Sequence, residues 1–76
     1  MKYVICKVGN KELPIIVAND IDLSTLTLPG TIVAAGEGVV QTMFLTCQGT
    51  QTIGGKEYTS RGMPDEILLR MSDHID

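Results

Sequence analysis

Lys2-Tyr3-Val4-Ile5-Cys6-Lys7-Val8-Gly9-Asn10-Lys11-Glu12-Leu13-Pro14-Ile15-Ile16-Val17-Ala18 is the stretch on which the fold turns. Two β-branched, apolar runs, Lys2 to Val8 and Glu12 to Ala18, flank Gly9-Asn10, and that dipeptide tolerates the positive φ a two-residue hairpin loop needs. Such a loop sets Val8 opposite Lys11, then Lys7 opposite Glu12, Cys6 opposite Leu13, Ile5 opposite Pro14, Val4 opposite Ile15 and Tyr3 opposite Ile16. Val4, Cys6, Leu13 and Ile15 then share one face, and Tyr3, Ile5, Pro14 and Ile16 share the other. Proline cannot donate to a ladder, so the second strand belongs at a sheet edge.

Working outward, Asn19 to Gly30 reads as a connecting loop with at most one turn of helix started by Asp22 or Ser24. Thr31 to Ala35 reads as a strand, and Gly36-Glu37-Gly38 as a turn or bulge. Val39 to Gln48 alternates like one half-buried strand. Gly49-Thr50 is expected to turn it back into Gln51 to Ile53, and Gly54-Gly55 to interrupt before Lys56 to Thr59. Pro64 suits a first helical position, with Asp65 and Glu66 complementing the helix dipole. On that helix Ile67, Leu68, Met71 and Ile75 are expected on one face. The fold class is α+β: a small, mainly antiparallel sheet of about four to five strands with one C-terminal α-helix, in a single domain over residues 1–76.

The chain is 43% hydrophobic but only 4% aromatic, so its core must come from Val, Ile, Leu and Met. A domain of this length buries only about 60% of its unfolded surface. Both faces of the first hairpin are apolar and a single helix covers one, so Tyr3, Ile5, Pro14 and Ile16 are candidates for a partner interface, most simply in a homo-oligomer. The net charge of -3 arises wholly at the C-terminal end, where Asp65, Glu66, Asp73 and Asp76 face only Arg70. An acidic chain repels phosphate backbones, which argues against a nucleic-acid duplex as partner. Two cysteines are too few for a disulfide framework, no signal-peptide pattern opens the chain, and no apolar run approaches a membrane span. These features lead us to expect a cytoplasmic protein with reduced thiols and no membrane partner.

Chemistry is sparse. The sole histidine is His74, near the chain end, a poor base for Cys6 or Cys47, and both cysteines fall on inward-looking strand positions. An enzyme reading survives only if a partner chain completes a site around Cys47. The residues offer no metal-ligand spacing and imply no cofactor; Asn19-Asp20-Ile21-Asp22 lacks the glycine and later glutamate of a calcium loop. The run Gly54-Gly55-Lys56-Glu57-Tyr58-Thr59-Ser60-Arg61-Gly62 has the parts of an anion site ahead of a helix N-terminus. It reads first as a hairpin with a helix cap. If it binds an anion, Lys56, Ser60 and Arg61 are the expected phosphate contacts, with Thr50 and Thr52 adding hydroxyls. The stripe Thr42, Thr46, Gln48, Thr50, Gln51 and Thr52 reads as the wet side of a sheet.

Met1-Lys2-Tyr3-Val4-Ile5, Val8-Gly9 through Glu12-Leu13-Pro14-Ile15-Ile16, Cys47-Gln48-Gly49, Ser60-Arg61 and Pro64-Asp65, taken in this order, resemble a family of short, functionally unassigned proteins encoded in bacteriophages and prophages. The chain departs from that pattern at Asn19 to Pro29, which is less helical, and at Gly62-Met63, which separates Arg61 from Pro64. The resemblance implies a setting: a non-enzymatic binding protein acting in counter-defence or host takeover. Sequestering a small anionic ligand such as a nucleotide signal at an oligomer interface is the leading expectation. Inhibition of a host defence or regulatory protein through the edge strand near Pro14, and a virion or assembly role, are the alternatives.

Overall fold

A computed structural model describes residues 1–72 of the chain. Strands β1 (Lys2–Val8) and β2 (Lys11–Val17) form the expected hairpin in the expected register, from Val8 opposite Lys11 to Tyr3 opposite Ile16. Gly9 takes φ 62° while Asn10 does not go positive, as in a loop with glycine at its first central position. Counting from the two-residue loop, Pro14 falls at a position whose amide would point away from β1. Its missing N–H therefore costs the ladder nothing, and β2 is indeed an edge strand in the order β2-β1-β3-β4.

Strand β3 (Thr31–Gln41) pairs antiparallel with the other side of β1. Ile5 faces Ala34 while Cys6 faces Ile32, so Val33 is an extra residue and the bulge lies there rather than at Gly36-Glu37-Gly38. The two glycines stay inside the strand because neighbours press on them. A Cβ on Gly36 would stand 2.6 Å from the Gln48 carbonyl oxygen and 3.0 Å from Ser60 Cβ. We therefore expect Gly36→Ala to destabilise the protein by about 1–3 kcal/mol, read as a lowered urea midpoint. A change no larger than that of an exposed substitution such as Glu57→Ala would contradict this packing.

Val39 to Gln48 is not one strand. It divides into the end of β3, a loop at Thr42-Met43 and strand β4 (Phe44–Gln48), with Gln41 opposite Phe44 and Val40 opposite Leu45. Neither loop residue has turn chemistry, and Thr42 is forced to φ 55°. Gly49, at φ 80°, does not fold the chain back on β4. It carries it to a separate two-stranded sheet, β5 (Thr50–Ile53) and β6 (Lys56–Thr59), joined by Gly54 and Gly55 with positive φ at both.

Helix α1 (Met63–Ser72) lies on one face of the four-stranded sheet. There Leu69 packs with Tyr3, Ile5, Ala34, Leu45 and Cys47, and Leu68 joins from the rim. The inward face is Asp65 and Leu69, with Leu68 half-buried, so the expected face of Ile67, Leu68 and Met71 is corrected by rotation: Ile67 and Met71 are exposed. The physical reason is a polar one, since the inward ridge begins with a carboxylate. Ile75, His74, Asp73 and Asp76 lie outside the described residues.

The opposite face is covered too. Leu23, from a one-turn 3-10 helix at Leu23–Thr25, packs with Ile53 of β5 on Val4, Cys6 and Ala35, while Leu26, Leu28 and Tyr58 close the margin. Asp22 caps that turn by accepting from Ser24 N at 2.9 Å. Ser24 Oγ in turn accepts from Gly54 N at 3.0 Å, tying the loop to the β5–β6 hairpin. Tyr3 and Ile5 are 0% exposed, which corrects their reading as a partner interface. Pro14 and Ile16 are half-buried. The sheet needs no second copy to cover it, because the Asn19–Gly30 loop and the small sheet supply a third layer that the one-helix reading did not count.

Candidate functional site

Among the described residues, a dense polar cluster is built where β1, β2 and the start of α1 meet. Asp65, 0% exposed, accepts from the Tyr3 hydroxyl at 2.6 Å, from Arg61 N at 2.9 Å and from Arg61 Nε at 2.8 Å. Ser60 Oγ lies 2.6 Å from the same phenol oxygen and accepts from Gly62 N at 3.0 Å. A phenol has one proton, so it goes to the carboxylate and the serine hydroxyl donates to Tyr3. The rest of the Arg61 fork is spent on Glu12, Nη1 to Oε2 at 3.1 Å and Nη2 to Oε1 at 3.0 Å. That bidentate contact holds the Glu12 carboxyl below its usual range. One guanidinium thereby pins the helix N-terminus to the edge strand.

Burial, aided by the Asp65 carboxylate, pushes the Tyr3 phenol far above its ordinary value. Burial likewise raises the Cys6 and Cys47 thiols. The folded chain keeps protons that the unfolded chain releases from about pH 8.5 for thiols and about pH 10 for the phenol. Stability is therefore full below that range and falls as pH rises through it. In urea melts between pH 8 and 11 we expect a progressive loss of stability, shallower above pH 10 in Tyr3→Phe by about one proton's slope. Equal slopes for the two proteins would contradict a neutral buried phenol.

The five residues expected to hold an anion divide among separate places. Ser60 and Arg61 are together, but both are engaged inside the cluster just described. Lys56 opens β6, about 13 Å from Ser60 along extended chain, and its ammonium sits 5.5 Å from the centre of the Tyr58 ring. Thr50 and Thr52 are exposed on β5, opposite Thr59 and Glu57, on the face of that hairpin away from Ile53. By alternation Lys56 belongs to the other face. The run therefore supplies a hairpin, a connector and a helix latch. Nε and one N–H on each Nη of Arg61 are engaged by Asp65 and Glu12, so an anion would compete with two carboxylates for the same guanidinium.

The thiols are also apart. Cys6 lies in the cluster under Leu23 and Cys47 in the cluster under α1, on opposite faces of the sheet. Among the described residues no group of three His, Cys, Asp or Glu side chains is placed to hold a metal ion, and no helix is long and apolar enough to cross a membrane.

A second feature was hidden in the misread strand. At the β3–β4 tip Met43 is 90%, Phe44 68% and Val40 65% exposed. From the register, Val40 shares the helix-side face with Leu45, Phe44 points to the other, and Met43 crowns the loop. The segment from Gly38 to Gly55 carries no charged side chain, the Met1 ammonium lies beside it on the Gly38 carbonyl at 3.2 Å, and the tip loop holds a β-branched residue in the left-handed region. Such residues take that conformation at a cost of order 1–3 kcal/mol. The tip thus breaks two local rules at once, exposure of large apolar groups and backbone strain. No family model, curated protein or solved structure matches the chain.

Proposed function

We propose that this chain is a non-enzymatic binding protein whose target is another protein, engaged by the β3–β4 tip through Met43, Phe44 and Val40. The observation that carries the reading is the exposure of those three side chains on a tip whose own residues carry no charge. Depletion of charge with enrichment in Met and aromatic residues is the composition of interface cores. The complementary surface is an apolar cleft with a neutral rim, deep enough to take a phenyl ring. Removing such an anchor typically costs 2 kcal/mol or more of binding.

This reading favours inhibition of a partner protein over capture of a small anion, because Arg61 and Ser60 already satisfy one another's neighbours in the fold. It also moves the contact away from the edge near Pro14, where the proline interrupts the row of donors that strand addition would use. In the phage setting that the sequence resemblance implies, the target would be a host defence or regulatory protein.

The test is affinity capture from the native host's lysate with wild type, Met43→Ser/Phe44→Ser and Arg61→Ala, each first shown to be folded. One stoichiometric protein is expected with wild type and Arg61→Ala, and reduced tenfold or more with the tip variant. Equal capture by the tip variant, or heat on titrating a nucleotide signal into wild type that vanishes in Arg61→Ala, would overturn the reading.

A further inference from the structure

The two faces of the four-stranded sheet are sealed unequally. Cys6 lies under Leu23 and Ile53, with Leu26, Leu28, Ile32 and Tyr58 packed around them. Cys47 lies under α1, which among the described residues gives that cluster Leu69, with Leu68 at the rim. The polar fastenings of the helix gather in its first turn. Asp65 holds the Tyr3 hydroxyl and Arg61 Nε, and Glu66 Oε2 accepts from Cys47 N on β4 at 3.2 Å.

We propose that α1 is a hinged lid, turning about Gly62 and swinging off the sheet while the strands stay folded. Gly62 stands between Arg61 and the helix at φ 76°, a conformation that glycine adopts and leaves without steric cost. The groups that such a swing separates are provided for on both sides of the hinge. Arg61 stays behind with Glu12, at 3.1 and 3.0 Å. The Tyr3 hydroxyl stays with Ser60 Oγ at 2.6 Å. Glu66 leaves together with Arg70, which stands 3.8 Å from it one turn on. Asp65 passes into water, where a carboxylate in the first turn still complements the helix dipole. Cys47 N, on an edge strand, turns to solvent.

Opening therefore strands no charge, and its main cost is the exposure of Leu69 and the apolar face beneath it. That is a fraction of the surface exposed when the whole chain unfolds, so the lid opens more often than the fold is lost. The uncovered face of Tyr3, Ile5, Leu45 and Cys47 runs on to Val40, which lies opposite Leu45. The device does not depend on the role proposed for the β3–β4 tip.

Alkylation of the native protein by iodoacetamide at about pH 8, followed by mass spectrometry at each cysteine, tests this. Each labelling rate, divided by that of the urea-unfolded chain, gives the equilibrium for uncovering that thiol. Cys47 is expected to react at least about tenfold faster than Cys6, with a rate that changes little across low urea, because lid opening exposes little surface. Arg61→Ala, which deprives Asp65 of the guanidinium, should speed Cys47 by about a further tenfold and leave Cys6 unchanged. The closed form still predominates in that variant. Equal rates at the two thiols, or a Cys47 rate that rises with urea as steeply as global unfolding, would overturn the proposal. So would an Arg61→Ala variant that speeds both thiols alike or neither.

Discussion

Replacing Asp65 by alanine is expected to lower the free energy of unfolding by about 3–5 kcal/mol. The carboxylate is fully buried and receives the Tyr3 hydroxyl, the Arg61 amide and the Arg61 Nε. Its removal strands a buried phenol proton and frees a guanidinium that then has only the half-exposed Glu12 to hold. A 76-residue chain has a total margin of roughly 4–11 kcal/mol, so this variant should sit near the edge of unfolding at room temperature. Urea titration followed by circular dichroism measures it directly. Tyr3→Phe should be milder, about 1–3 kcal/mol, because Asp65 keeps both donors from Arg61. If Asp65→Ala proved no more destabilising than an exposed substitution such as Glu57→Ala, the latch would not be part of what holds α1.

The second large effect belongs to Leu69. It is 0% exposed and, among the described residues, is the one helix side chain seated fully in the cluster of Tyr3, Ile5, Ala34, Leu45 and Cys47. Truncation to alanine should cost about 2–5 kcal/mol, whereas Ile67→Ala, two residues away and pointing outward, should change stability by less than about 0.5 kcal/mol when measured at micromolar concentration. The contrast fixes the rotation of the helix. Matching losses, or a larger loss at Ile67, would mean that the ridge of Met63, Ile67 and Met71 faces the sheet.

That rotation shows where sequence reasoning stopped. The first hairpin could be read completely because its instructions are local: a glycine-led loop, strict alternation and a proline that only an edge tolerates. The start of α1 was legible for the same reason. Its inward face was not, because Asp65 looks like an ordinary dipole partner until Tyr3, 62 residues earlier, arrives above it. Local periodicity counts a carboxylate as outward, and a single long-range hydrogen bond reverses that.

The candidate sites follow the same division. The parts of an anion site around Ser60 and Arg61 were visible, but Glu12, which occupies the guanidinium, lies 49 residues away in sequence. The β3–β4 tip was invisible because Val39 to Gln48 is rich in strand-forming residues straight through a loop that lacks every usual turn residue. Gly36, read as a turn signal, records instead the close approach of the Gln48 carbonyl. The third layer was missed because Leu23, Leu26 and Leu28 sit in a segment too irregular to show a period, although three leucines in six positions were a cue for burial.

The central functional claim is that the chain meets its target at the β3–β4 tip. Site-specific photocrosslinking inside the native host tests it most directly, with a photoreactive phenylalanine placed in turn at Phe44, at Tyr58 and at Ile67. The account predicts a heterologous protein adduct of defined mass from position 44 alone, competed away by excess wild type but not by Met43→Ser/Phe44→Ser. A heterologous adduct from position 58 with none from position 44 would contradict it.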